Sequence, residues 1–139
     1  MTHQQVTLIK NSWRLLRALD GAQLSDLFYS KLFFDHPELR SLFPSDMSGQ
    51  HQKLIATLQI LIARLDQMAT LEQEIAELGR RHQQYGVRPK HYGHVGAALL
   101  WTFERVLGSD WTPLVAEAWQ TLYKTLAEAM LQAAENRNN

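Results

Sequence analysis

The chain of 139 residues contains no cysteine, which excludes disulfides, thiol nucleophiles and thiolate metal sites and leaves histidines and carboxylates to hold any metal. It has no excess of charge either. Its 14 basic side chains balance 14 acidic ones, so neither disorder nor a surface that seeks polyanions everywhere is indicated. No apolar run approaches the roughly 20 residues that span a bilayer, and the opening Met1-Thr2-His3-Gln4-Gln5 lacks the pattern of a secretory leader. The reading is a soluble, cytoplasmic protein without a membrane span. Runs that alternate apolar and polar residues are missing as well, which argues against half-buried strands. What is there is 45% hydrophobic residues on a length that suits one domain, residues 1–139, able to bury roughly two thirds of the surface its unfolded chain exposes.

Helical periodicity recurs throughout, interrupted at the few glycines and prolines, and predicts an all-α protein. A first helix runs from about Gln4 to Leu19 and stops at Asp20-Gly21; a second carries Leu24, Leu27, Phe28 and Leu32 and ends near Asp35. His36-Pro37 opens a short helical turn, since proline suits a first turn. Phe43 to Gly49 has loop chemistry, after which Leu54, Leu58, Leu61, Ile62 and Leu65 mark a third long helix. Thr70-Leu71-Glu72-Gln73 has the form of a capping box and predicts a helix start, with Gly86 as the stop. Pro89 begins the next helix and Gly108 ends it; the last carries Val115, Ala118, Trp119, Leu122, Leu126, Ala129, Met130 and Ala133, with a fraying tail from Glu135 to Asn139.

One position breaks the apolar pattern. Leu71, Ile75, Leu78, His82 and Tyr85 share a helix face, so a histidine stands on a face predicted to be buried. His82 is either a core histidine satisfied by a carbonyl or a water, or a metal ligand whose second ring N–H is held by the Leu78 carbonyl one turn back. Spacing does not choose between them. From Leu78 to Phe103 the chain has no acidic residue, whereas Arg80, Arg81, Arg88, Lys90, His82, His91 and His94 all occur there. That basic stretch is either a solvated face or a seat for a small dianionic ligand with an apolar body, and it lacks any motif for nucleic acid. His91 and His94 could chelate a metal by spacing but have no third ligand nearby; His3 and His36 carry no signal.

Phe28-Tyr29-Ser30-Lys31-Leu32-Phe33, His36-Pro37-Glu38-Leu39, Leu42-Phe43, Lys53-Leu54, Leu78 to Val87 and His91-Tyr92-Gly93-His94-Val95-Gly96 together resemble a globin. The nearest relatives by this pattern are single-domain bacterial and neuroglobin-like globins and the haem domain of flavohaemoglobins. The resemblance implies a three-over-three helical sandwich of seven to eight helices with a short or absent D helix. It also implies haem b, with His82 as the proximal iron ligand.

By the same resemblance Tyr29 points its phenol at the bound ligand. A phenol donates at neutral pH because its ordinary pKa is about 10, and a bound diatomic with partial negative charge accepts. Gln50 on the stripe Gln50, Leu54, Leu58, Leu61 is the second distal donor; alignment with longer-looped bacterial globins puts His51 there instead, where it could bind iron as a sixth ligand. Phe43 packs on the porphyrin, and Leu54, Leu78, Val87 and Val95 line it. Lys53 and Arg81, with Arg88 as a further candidate, stand where relatives pair with propionates. Tyr92 matches a tyrosine that in flavohaemoglobins works with a glutamate to brace the proximal imidazole. Here the glutamate position falls on Ala134, with Glu135 one residue beyond, and Gly93 replaces the usual proline.

The implied activity is reversible binding of oxygen, nitric oxide and carbon monoxide. Nitric oxide dioxygenation, weak peroxidase activity and a six-coordinate redox or sensor role are alternatives. The 139 residues hold no GxGxxG loop, so turnover as a dioxygenase would draw electrons from a separate reductase. The expected assembly is a monomer or homodimer. A haem-free helical interaction module would need Tyr29, Phe43 and His82 to match the pattern by chance.

Overall fold

The computed structural model describes residues 1–136, and these contain helices and no strand. In chain order they are α1 (His3–Leu16), α2 (Gly21–Asp35), a 3-10 segment (Pro37–Leu42), α3 (Ser48–Ala63), a second 3-10 segment (Leu65–Leu71), α4 (Glu72–Gln84), α5 (Pro89–Leu107), a 3-10 turn (Gly108–Asp110) and α6 (Pro113–Asn136). Of the tail expected to fray, Glu135 to Asn139, the first two residues continue α6, and 137–139 lie outside the described residues.

Most boundaries follow local chemistry. Thr2 and Gln5 form a reciprocal capping box at the start of α1, and the Asp20 carboxylate accepts from the Ala22 N–H at 3.2 Å to cap α2. Pro89 stands in the first turn of α5, and Gly108 ends that helix with φ of 56°. Gly86 stops the chain after α4 with φ of 93°, a conformation that costs glycine nothing. The capping box expected at Thr70 does not form. Thr70 Oγ1 instead donates to the Gln67 carbonyl at 2.6 Å and accepts from Arg64 Nη2 at 2.6 Å, so α4 begins two residues later, at Glu72. The first helix ends at Leu16 rather than Leu19, because the chain tightens there into i to i+3 bonds.

The helices form the expected sandwich, with α1, α3 and α4 over α2, α5 and α6. The main core gathers Ile9, Trp13, Leu16, Leu24, Phe28, Leu32, Phe103, Ala118 and Trp119, and a smaller cluster gathers Leu61, Leu71, Ile75, Tyr92 and Met130. Trp119 Nε1 donates to Ser12 Oγ at 2.9 Å, which satisfies a buried donor where α6 crosses α1. Two helices approach closely at Gly79. A Cβ there would stand 2.3 Å from the Met130 carbonyl oxygen, so the missing side chain lets the backbones of α4 and α6 touch. That contact sets the position of α4, and therefore of His82 three residues on.

Candidate functional site

His82 lies in the last turn of α4, where its Nδ1 is 2.7 Å from the Leu78 carbonyl oxygen. A carbonyl only accepts, so Nδ1 carries the proton and Nε2 carries the lone pair, which is the tautomer a metal ion requires. Burial holds the His82 pKa below its ordinary value and outweighs the Leu78 bond that raises it, so the ring stays neutral at pH 7. The ring of Tyr92, buried on α5, lies 6.2 Å from that of His82. Tyr123 on α6, which the sequence pattern does not single out, donates its hydroxyl to the Tyr92 carbonyl at 2.6 Å. It can reach because Gly96 has no Cβ; one built there would stand 2.5 Å from the Tyr123 ring. Ala134 is buried and Glu135 is exposed, so α6 supplies no acid to Tyr92 among the described residues.

Tyr29 is 6% exposed. Its ring stands edge-on to Phe43 at 5.6 Å and to His51 at 5.3 Å and stacks on Phe33 at 5.9 Å, while the Gln50 side chain stands close enough to its hydroxyl to pull the phenol's pKa down. Burial pushes the Tyr29 phenol up to about 12 against a smaller lowering by Gln50, so the group is a neutral donor at any physiological pH. The raised value means that the fold favours the protonated phenol. Its contribution to stability is complete below pH 10, the phenol's ordinary pKa, and is lost as pH rises through about 12. An alkaline titration at 295 nm is expected to show a tyrosine ionising near 12, absent in Tyr29→Phe; loss instead of an ionisation near 10, the ordinary phenol value, would place Tyr29 in solvent.

Phe43 is half-buried in the corner before α3. Arg40, unmarked by any sequence signal, ties that corner: its guanidinium donates to the carbonyls of Phe43 at 3.3 Å, Pro44 at 2.8 Å and Ser45 at 3.0 Å. Leu54 on α3 and Val95 on α5 are half-buried against the main core, and Leu78 and Val87 against the smaller one.

His51 Nδ1 lies 2.6 Å from Ser25 Oγ and its Nε2 3.4 Å from Asp26 Oδ1, so both ring nitrogens face α2. Arg81 turns back along its own helix to Glu77 at 3.4 Å, while Lys53 is exposed. Tyr85, predicted on the buried face, is 65% exposed, because α4 ends at Gln84 and Tyr85 caps it. Among the described residues no group of three or more histidines and acids could hold a metal ion. His91 Nδ1 is taken by the Arg88 N–H at 2.9 Å, and His94 stacks on His36 at 3.7 Å. The donor set is therefore one neutral imidazole, a buried phenol and an amide.

That set can be tested against haem. The main packing partners of α4 are α6 and the segment Leu65–Leu71, whereas α3 packs chiefly on α2 and α1, so α3 and α4 are not main partners of each other. The apolar residues Phe43, Leu54, Leu58, Leu78, Val87 and Val95, from the segments around Tyr29 and His82, all stop short of burial. A flat apolar body with a metal at its centre suits such a lining together with a single fixed imidazole. The residues present fit the group. Among the described residues no helix is long and apolar enough by itself to cross a membrane.

Comparison with known proteins accords with this geometry. The family profile described as Globin matches residues 26–130. A flavohemoprotein of Pseudomonas putida is 34% identical over 96% of this chain and 35% of its own length, and one of Bacillus subtilis is 28% identical over 94% and 33%. The chain thus spans about one third of the length of these curated relatives. Among solved structures, a bacterial globin of Campylobacter jejuni superposes with a TM-score of 0.84 at 22% identity over 99% of both chains, a likeness of fold. An engineered carbene transferase described as a candidate nitric oxide dioxygenase of Rhodothermus marinus superposes with a TM-score of 0.87 at 27% identity, covering 99% of this chain and 96% of that one.

Proposed function

The chain belongs to the globin family, whose membership implies haem, and from that premise we propose that it binds haem b through His82 Nε2 and holds diatomic gases beneath Tyr29 and Gln50. The observation that carries this reading is the bond of 2.7 Å between His82 Nδ1 and the Leu78 carbonyl, which fixes both the tautomer and the direction of the ring. Haem iron held by one histidine supplies an open sixth position that takes oxygen, nitric oxide or carbon monoxide. Phe43, Leu54, Leu78, Val87 and Val95 supply the apolar lining that keeps water from the porphyrin faces.

On the distal side two neutral donors act in series. Gln50 steadies the Tyr29 hydroxyl, and the hydroxyl is left to donate to whichever ligand atom gains negative charge. Oxygen gains such charge and carbon monoxide gains little, so the pair discriminates between them. Each hydrogen bond to a charged acceptor contributes about 1.5 to 3 kcal/mol. Tyr29→Phe is therefore expected to raise the oxygen dissociation rate on the order of tenfold to a hundredfold while leaving carbon monoxide release nearly unchanged. Stopped-flow displacement measures both rates, and an unchanged oxygen rate would remove Tyr29 from the role.

A second reading is favoured by the similarity to flavohemoproteins and to the R. marinus protein. In it haem held by His82 would supply the chemistry that turns nitric oxide and oxygen into nitrate, with Tyr29 and Gln50 holding the oxygen. Each turnover then needs one electron from a reductase. The missing carboxylate beside Tyr92 argues for a weaker push on the proximal imidazole and against strong peroxidase activity. The direction of His51 toward α2 favours Gln50 over His51 as the distal group. Nitrate formation with an added ferredoxin-type or flavin-type reductase, measured beside the oxygen dissociation rate, separates the dioxygenase from the reversible binder.

A further inference from the structure

The start of α3 is capped from outside the helix, where Asp46 Oδ1 accepts from the Ser48 N–H at 3.0 Å and from the Ser48 hydroxyl at 2.7 Å. Its N-cap residue, Met47, makes no side-chain capping bond, and Gln50 and His51 both donate their backbone N–H to the Met47 carbonyl, at 3.0 and 3.1 Å. Asp46 secures the Ser48 end of this turn, and the residues after it rely on tertiary contacts. The turn matters because it carries Gln50.

The neighbouring His51 holds it to α2. Ser25 is fully buried, and its hydroxyl lies 3.0 Å from the Gly21 carbonyl and 3.2 Å from the Ala22 carbonyl. The same hydroxyl is hydrogen-bonded to His51 Nδ1 across 2.6 Å. The Asp26 carboxylate 3.4 Å from Nε2 is largely exposed and adds little. The His51 ring also stands edge-on to Tyr29 at 5.3 Å. One imidazole thus touches the second helix through Ser25 and through the distal tyrosine, one residue from the amide that stands beside that tyrosine's hydroxyl.

We infer that His51 is a positioning residue: by its hydrogen bond to buried Ser25 it fixes the first turn of α3 and so holds the Gln50 amide on the Tyr29 hydroxyl. This inference rests on the proposed distal role of Gln50. It gives His51 work that does not involve coordinating iron.

The test is a double-mutant cycle on the haem-loaded protein, read by oxygen and carbon monoxide dissociation, by the C–O stretching band of the carbonmonoxy form and by amide exchange of residues 47–54. His51→Leu is expected to raise the oxygen rate about fivefold, to leave carbon monoxide release unchanged and to speed exchange in the first turn of α3. Ser25→Ala should do the same. His51→Asn, whose amide can replace Nδ1 in the bond to Ser25 as donor or acceptor, should restore both rate and protection. In a Gln50→Leu background, His51→Leu should have no further effect on oxygen release.

A wild-type oxygen rate in His51→Leu, or an equal rise with and without Gln50, overturns the inference. So does a parallel rise in carbon monoxide release, which would signal a general loosening of the pocket. If Gln50→Leu alone leaves oxygen release unchanged, the distal-donor reading fails and the inference falls with it. If Gln50 matters and His51 does not, only the inference falls.

Discussion

His82→Ala is expected to emerge from purification almost free of haem. Partners that merely hold a ligating histidine in place cost about 10- to 100-fold in metal affinity when removed, so loss of the ligand itself should cost more than that. The apolar lining would still attract a porphyrin, but nothing would fix the iron. The fold should survive, because both apolar clusters are complete without His82. The pigment-to-protein ratio at the Soret band reads the result, and added imidazole should restore part of the spectrum by taking the vacated place. Full retention of haem by the variant would show that another side chain ligates iron.

The second large effect is expected far from any ligand, at Gly79. Replacing a helical glycine with alanine ordinarily stabilises an exposed helix by about 1 kcal/mol. Here the added Cβ would lie 2.3 Å from the Met130 carbonyl oxygen and 2.7 Å from its Cα, and backbone atoms cannot swing aside as a side chain can. Overpacking of this kind costs about 1 to 3 kcal/mol and more where the backbone must move, so the clash wins over the propensity gain. Gly79→Ala is expected to lower the unfolding midpoint by several degrees. It should also speed haem transfer to an acceptor protein, because α4 is displaced from α6 together with His82. An unchanged midpoint and unchanged haem retention would mean that the two helices separate at no cost, against the packing seen here.

The two substitutions probe different levels of organisation. His82 acts through one bond to Leu78 inside its own helix, a relation of four residues that can be read along the chain. Gly79 acts through Met130, which is remote in sequence, and nothing in the spacing of α4 announces it. Arg40 and Tyr123 belong with Gly79. Arg40 gathers three carbonyls of the Phe43 corner, and Tyr123 reaches the carbonyl of Tyr92, yet each reads along the chain as an ordinary polar or amphipathic residue.

The amino-acid sequence by itself determined the helical class, the stops at Gly86 and Gly108 and the start at Pro89. It also marked a histidine on an apolar helix face as an anomaly. These are local matters: a positive φ, a missing N–H and a 3.6-residue period are properties of a few adjacent residues. Tertiary structure alone decided the rest. Thr70 could not cap α4 because Arg64 and Gln67 occupy its hydroxyl, and Tyr85 left the buried face because its helix ends one residue before it. Between Gln50 and His51, neighbours on the same helix turn, the periodicity had no preference. Ser25 drew one imidazole toward α2 and left the adjacent amide beside Tyr29, and such a choice depends on which polar atoms a distant helix brings within hydrogen-bond reach.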